Sequence, residues 1–239
     1  MTSIHARWQT VHAQVREAAK HAGRNPDDVC LIAVSKTHSV EAIVEAFRAG
    51  ARDFGENRVQ ELCSKRERMV EHLDPEEAAA IRWHFIGGLQ SRKVSQLGRV
   101  YRLHSIDRSS LLKELDKCFT PERGPQPALV QINIGGEDSK GGVSPDEAPA
   151  FVERAIKRQG VRLTGLMTIP PFRPDREEAQ RDFERLVAIR DACRLRLGLP
   201  EALPELSMGM SHDFPQAIAA GATMVRVGTA IFGERQYNQ

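Results

Sequence analysis

The chain has 239 residues, enough to bury a substantial core without disulfides, and 34 lysines and arginines set against 32 acidic residues leave a formal charge of +2. That balance gives no electrostatic case for a nucleic-acid or anionic-membrane partner. No apolar stretch approaches the length of a bilayer span and the amino terminus has no signal-like apolar region, so a soluble, cytoplasmic protein is expected.

Residues 3–22 read as a leading helix, with Ile4, Trp8, Val11, Val15 and Ala18 at spacings of three and four and Gly23 as the stop. Val29 and residues 31–34 form an aliphatic run of the kind buried on both faces of a parallel sheet, and the run ends at Lys36. Ser39 is a good N-cap for a helix over residues 40–49, closed by Gly50. A short second strand is expected over residues 52–54, ending in Gly55-Glu56-Asn57, and a long helix from Val59 to near Asp74-Pro75. In that helix Lys65-Arg66-Glu67-Arg68 mixes both signs and reads as a solvated face.

The same alternation continues. Residues 81–86 are a third strand before Gly87-Gly88 and a short helix opened by Ser91; residues 100–106 are a fourth, followed by a helix over 109–118. Residues 128–134 form strand five, and a glycine-rich loop over 135–142 leads to a helix started by Ser144-Pro145. Strand six covers 162–168, followed by a proline-rich loop and a long helix over 176–197; strands seven (205–208) and eight (223–227) flank a helix over 213–220. Eight strands alternating with helices predict one parallel (β/α)8 TIM barrel with an extra amino-terminal helix, a single domain over 1–239; an open doubly wound sheet is the alternative. Cysteines 30, 63, 118 and 193 lie far apart with no C-x-x-C pair, so no metal site or disulfide framework is expected.

In such a barrel every strand ends on one face, and that face carries the chemistry. Lys36 follows strand one, Glu56 and Asn57 strand two, Lys140 the fifth, Ser207 to Ser211 the seventh, and Arg226, Gly228 and Thr229 the eighth. A lysine at a strand end is, on position alone, more often a residue that snorkels to water than a partly desolvated Schiff-base amine. Ser207-Met208-Gly209-Met210-Ser211 precedes a helix, and Gly228-Thr229 offers close backbone N–H groups; both suit an anion, and barrels often hold phosphate after strands seven and eight.

The motifs AVSKT, FGENRVQE (54–61), WHFIG (83–87), LQS (89–91), GLMTI (165–169), GMS (209–211) and MVRVGTAIFGER (224–235), in this order, resemble the pyridoxal phosphate homeostasis protein family. The resemblance implies a barrel related to the amino-terminal domain of alanine racemases, carrying pyridoxal 5'-phosphate (PLP) as an internal aldimine on Lys36. It implies that Arg226 donates to the pyridine nitrogen, that Ser207, Ser211, Gly228 and Thr229 hold the phosphate, and that Asn57 lines the pocket. His84 reaches either the ring or only the barrel core. The chain departs from the family at His38, where a second lysine is common, and at Arg92, where asparagine is usual; Lys140 matches a family lysine tied to cofactor exchange.

Two function classes then stand. One is a non-catalytic carrier that buffers PLP and passes it to apo PLP-dependent enzymes; the other is a racemase-like PLP enzyme, with a cofactor-free Schiff-base aldolase third. Barrel racemases add a carboxyl-terminal domain with a second base, and only ten residues follow Thr229, so the carrier is expected, with no catalytic residues assigned. No exposed apolar stripe is evident, which makes a monomer the expected state.

Overall fold

The computed structural model of the protein describes residues 2–137 and 141–234. Eight parallel strands, β1 Cys30–Val34, β2 Asp53–Glu56, β3 Arg82–Phe85, β4 Arg102–Ile106, β5 Gln126–Ile132, β6 Val161–Thr168, β7 Glu205–Ser207 and β8 Met224–Val227, pair in chain order and close into a barrel. Closure is the pairing of β1 with β8, in which Ile32 faces Arg226 and Ala33 faces Val227. That pairing excludes the open sheet.

Helices follow the strands as α1 Ile4–His21, α2 Val40–Arg48, α3 Val59–Met69, α4 Pro75–Ala79, α5 Val94–Leu97, α6 Ser109–Cys118, α7 Ala148–Ile156, α8 Arg176–Leu197, α9 Phe214–Ala219 and α10 Thr229–Phe232. Local chemistry sets their ends. Ser39 Oγ accepts from the Ala42 N–H to start α2, and Asp74 and Glu77 form a reciprocal capping box that starts α4. The helix expected after β2 stops at Met69, short of Asp74-Pro75, and that box with Pro75 starts a further short helix that the sequence reading did not include. The expected second strand stopped at Phe54, because Gly55 reads as a turn; in fact β2 runs on to Glu56. Gly55 points into the barrel, where a Cβ would sit 3.1 Å from Ile32 and 3.2 Å from Ile86. The Ser144-Pro145 start gives a turn first, and α7 begins at Ala148; four-residue α10 is too short to show a period.

Two apolar layers result. The larger lies between barrel and helices and includes Phe54, Trp83, Phe85, Leu103, Leu166 and Phe183; the smaller is inside the barrel and consists of Ile32, Leu129, Met167 and Met224. This double burial explains the continuous aliphatic strands. Helix α1 packs against α2, α9 and α10 across the β8–β1 seam, and Arg7 donates to the carbonyls of Ile231 and Phe232 at the end of α10. No helix among the described residues is long and apolar enough to cross a membrane.

Strands β6 and β7 approach most closely at Gly165, where a Cβ would lie 1.8 Å from the Glu205 carbonyl oxygen. Gly165→Ala is therefore expected to cost about 2 to 4 kcal/mol in urea denaturation. Gly88→Ala, with nothing within 4 Å of the added carbon, should leave the midpoint in place.

Candidate functional site

The carboxyl-terminal rim collects the residues expected there. Lys36 lies in the turn directly after β1 and Asn57 directly after β2, both half-buried. The β1–β2 register pairs Val34 with Gly55, which sets Lys36 and Asn57 side by side on the rim. On the other flank of β1, Gly228 packs so tightly that a Cβ there would lie 3.3 Å from the Val34 carbonyl oxygen. Gly228 and Thr229 thus border Lys36 across the seam. Asn57 is fixed from behind by Gly87, whose added Cβ would fall 2.2 Å from the Asn57 carbonyl oxygen. Ser211 is half-buried in the turn between β7 and α9, beside Gly209 at φ +90° and the Met210 N–H that Asp213 caps at 2.6 Å. Lys140 lies outside the described residues.

Arg226 is different in kind. It points into the barrel and is only 4% exposed. One terminal nitrogen donates to Ser207 Oγ at 2.6 Å and the other to the Thr168 carbonyl at 2.9 Å. Both acceptors are neutral, and among the described residues no carboxylate forms an ion pair with this guanidinium. Burial pulls its pKa down to about 10, with Asp213 partly offsetting the pull, so it remains a cation at neutral pH. Ser207, expected on the phosphate, is completely buried beneath Arg226, and its hydroxyl is shared between Arg226 and His104.

From Ser207 a line of hydrogen bonds crosses the barrel. Ser207 Oγ meets His104 Nδ1 at 2.9 Å, His104 Nε2 meets His84 Nδ1 at 2.9 Å, and His84 Nε2 meets Asp53 Oδ1 at 2.9 Å. Asp53 is also bonded by Arg82, Nε to Oδ1 at 2.8 Å. Both histidines are wholly buried. Burial drives both below the usual imidazole range, for His84 against the opposing pull of Asp53 and for His104 with a further push from His84. Burial also acts on Asp53, but the bonds from His84 and Arg82 outweigh it and hold the carboxyl down to about 2. With Asp53 ionised and both rings neutral, one assignment of protons satisfies every contact. His84 donates from Nε2 to Asp53 and accepts at Nδ1 from His104 Nε2–H, whose own Nδ1 accepts from the Ser207 hydroxyl, which leaves the Ser207 oxygen facing the Arg226 donor. Every donor points the same way, from Arg226 toward Asp53.

Both ring nitrogens of His84 are therefore taken up within the barrel core. His104 and Asp53 escaped the sequence reading, although a signal exists: Arg82-Trp83-His84 and Arg102-Leu103-His104 place arginine and histidine two apart, on one face, in neighbouring strands. A second omission is Lys65. Expected on a solvated face, it is 6% exposed, because its amine turns inward to Glu56 Oε1 and Glu61 Oε1, both at 2.7 Å, and to the Ser35 carbonyl at 2.8 Å.

The neutral histidines have a pH signature. In the unfolded chain they take up protons below about pH 6.5, whereas the native state binds them only at lower pH, so stability must fall as pH falls through that range. Denaturation at pH 7.5, 6.5 and 5.5 should show it, with the slope reduced in His104→Gln.

Comparison with known proteins bears on this geometry. Residues 7–236 match the family described as alanine racemase, N-terminal domain. The "Pyridoxal phosphate homeostasis protein" of Aquifex aeolicus is 41% identical over 97% of this chain and 98% of its own length; that of Homo sapiens is 38% identical over 97% and 86%. Among solved structures, PipY of Synechococcus elongatus with PLP bound superposes with a TM-score of 0.76 at 34% identity, covering 92% of this chain and 100% of PipY. With full-length similarity at this level and the same barrel underneath it, the chain belongs to the pyridoxal phosphate homeostasis protein family.

Proposed function

We propose that this protein binds PLP at the rim of its barrel, covalently through Lys36, and serves as a cytoplasmic, monomeric, single-domain carrier that buffers the cofactor and hands it to apo-enzymes. The observation that carries the reading is Arg226: a buried guanidinium held by two neutral oxygens, with N–H groups left over, at the floor of a rim that also bears a lysine. The residues present fit the cofactor. Lys36 supplies an amine for an aldehyde, Arg226 a donor for a ring nitrogen, and Ser211, Gly228 and Thr229 hydroxyls and backbone N–H groups for a phosphate, with Asn57 at the side. The missing side chain of Gly228 lets its backbone pack directly on Val34 beside the Lys36 turn. Ser207 serves the site from below, by orienting Arg226.

PLP supplies an aldehyde for amines and a ring that can accept electrons. Arg226 cannot give its proton to the ring at neutral pH, since even after burial its pKa is about 10. It would therefore leave the pyridine nitrogen unprotonated and the ring a weaker electron sink, a property that suits a carrier and a racemase alike. The naming of the relatives as homeostasis proteins supports the carrier.

Purified protein mixed with PLP should develop a visible absorbance that borohydride removes while fixing mass on the Lys36 peptide. Lys36→Ala should abolish the band, and Arg226→Glu should shift it with the phosphate still retained. Loaded protein should restore an apo PLP enzyme at a rate different from that of free PLP at the same concentration. Sustained racemisation of an amino acid at about 1 per second or faster would replace the carrier reading by the racemase-like one, and a borohydride-sensitive adduct formed only with a carbonyl substrate would favour the aldolase.

A further inference from the structure

The turn that presents Lys36 is strained and is held from outside the barrel. Thr37, a β-branched residue, sits at φ +68°, in the left-handed region that costs such residues energy. Its N–H donates to Glu61 Oε1. On the other side of Lys36, the Ser35 carbonyl accepts from Lys65 Nζ at 2.8 Å as well as from the His38 N–H at 3.0 Å. Lys65 and Glu61 are one helical turn apart on α3 and bonded to each other at 2.7 Å. Lys65 also reaches Glu56 Oε1 at 2.7 Å, which in turn accepts from Ser35 Oγ at 2.6 Å. The three donors of the ammonium are thus all used, two on carboxylates and one on the peptide just before Lys36. Val59, Leu62 and Met69, buried on the same helix, anchor α3 against the barrel.

From this geometry we infer that Lys65 and Glu61 are positioning residues for Lys36: as a clamp, buried at Lys65 and half-buried at Glu61, they tie down the peptide groups on both sides of the lysine and impose the left-handed Thr37 conformation that the sequence would not adopt unaided. The inference rests on the reading of Lys36 as the residue that captures PLP, a condensation in which the amine adds to the aldehyde carbon and one water leaves. An ion pair that only stabilised the fold would not need to grip both neighbours of one residue. With the clamp in place, the turn is ordered before the aldehyde arrives, and capture pays no ordering cost.

Two readouts test this. Amide hydrogen exchange at Thr37, in protein without cofactor, reports the clamp alone; the rate at which added PLP is fixed on Lys36 by borohydride reports its use. Glu61→Ala is expected to speed exchange at Thr37 and slow capture, each about tenfold, the scale of a lost left-handed constraint. Glu61→Gln, which keeps an oxygen acceptor, should stay within about threefold of wild type. Adding Thr37→Gly to Glu61→Ala should bring capture back to within about threefold, because glycine adopts this φ without strain. Lys65→Met should behave as Glu61→Ala; if it does not fold, the Glu61 series decides. Unchanged exchange or unchanged capture in Glu61→Ala overturns the inference, and so does failure of Thr37→Gly to restore capture. If wild-type Lys36 takes no label, the PLP reading is what fails, and exchange at Thr37 still judges the clamp.

Discussion

A guanidinium inside a barrel must be held by something, and much of the interior of this one is arranged around holding Arg226. Its two direct acceptors are a hydroxyl and a carbonyl, each too weak alone to compensate a desolvated charge. Behind the hydroxyl, the neutral rings of His104 and His84 pass the polarisation on to Asp53, where a full negative charge finally stands. Aligned donors of this kind strengthen one another in a low-dielectric interior. Asp53 is itself paired with Arg82, so the line orients the donors beneath the arginine, while the carboxylate that acts on the arginine's charge is Asp213.

That arrangement has a definite cost structure. Removing one partner from a buried charged network is strongly destabilising, so Asp53, at the amino-terminal end of the barrel, matters to a rim it never touches, while the exposed Arg82 is screened by water and matters less. Strands β2, β3, β4, β7 and β8 each contribute one inward polar side chain to the line, while Ile32, Leu129 and Met167 fill the remaining volume. Half of the barrel interior is a polar wire and half is ordinary core. The division lets one small barrel be stable and still keep a cation under its mouth.

The alternation of strands and helices was legible because both periods are strong and the strand ends carry glycine, proline and capping residues. That Lys36 and Arg226 stand at strand ends of one rim followed from the same alternation, whereas the roles expected of them came from the family resemblance. The line from Ser207 to Asp53 was not legible, because it depends on which residues of non-adjacent strands meet: His104 in β4 faces Ser207 in β7 across the barrel, and no local pattern encodes that distance. Lys65 was misread for a related reason. Its neighbours Arg66, Glu67 and Arg68 are surface-like, and only the register of α3 on β2 turns Lys65 toward Glu56 while they face out. Gly55 misled in the opposite direction, as a turn signal that is really a clearance for two isoleucines.

The seam between β8 and β1 has a temporal meaning. Lys36 is made early, on the first strand, but its neighbours Arg226, Gly228 and Thr229 arrive on the eighth, and Arg7 of the first helix waits for carbonyls on the last. A nascent chain therefore carries the Lys36 turn through most of its synthesis with none of Arg226, Gly228 and Thr229 beside it. The rim is complete only once the barrel closes, because the strand that pairs with the first is also the last to be made.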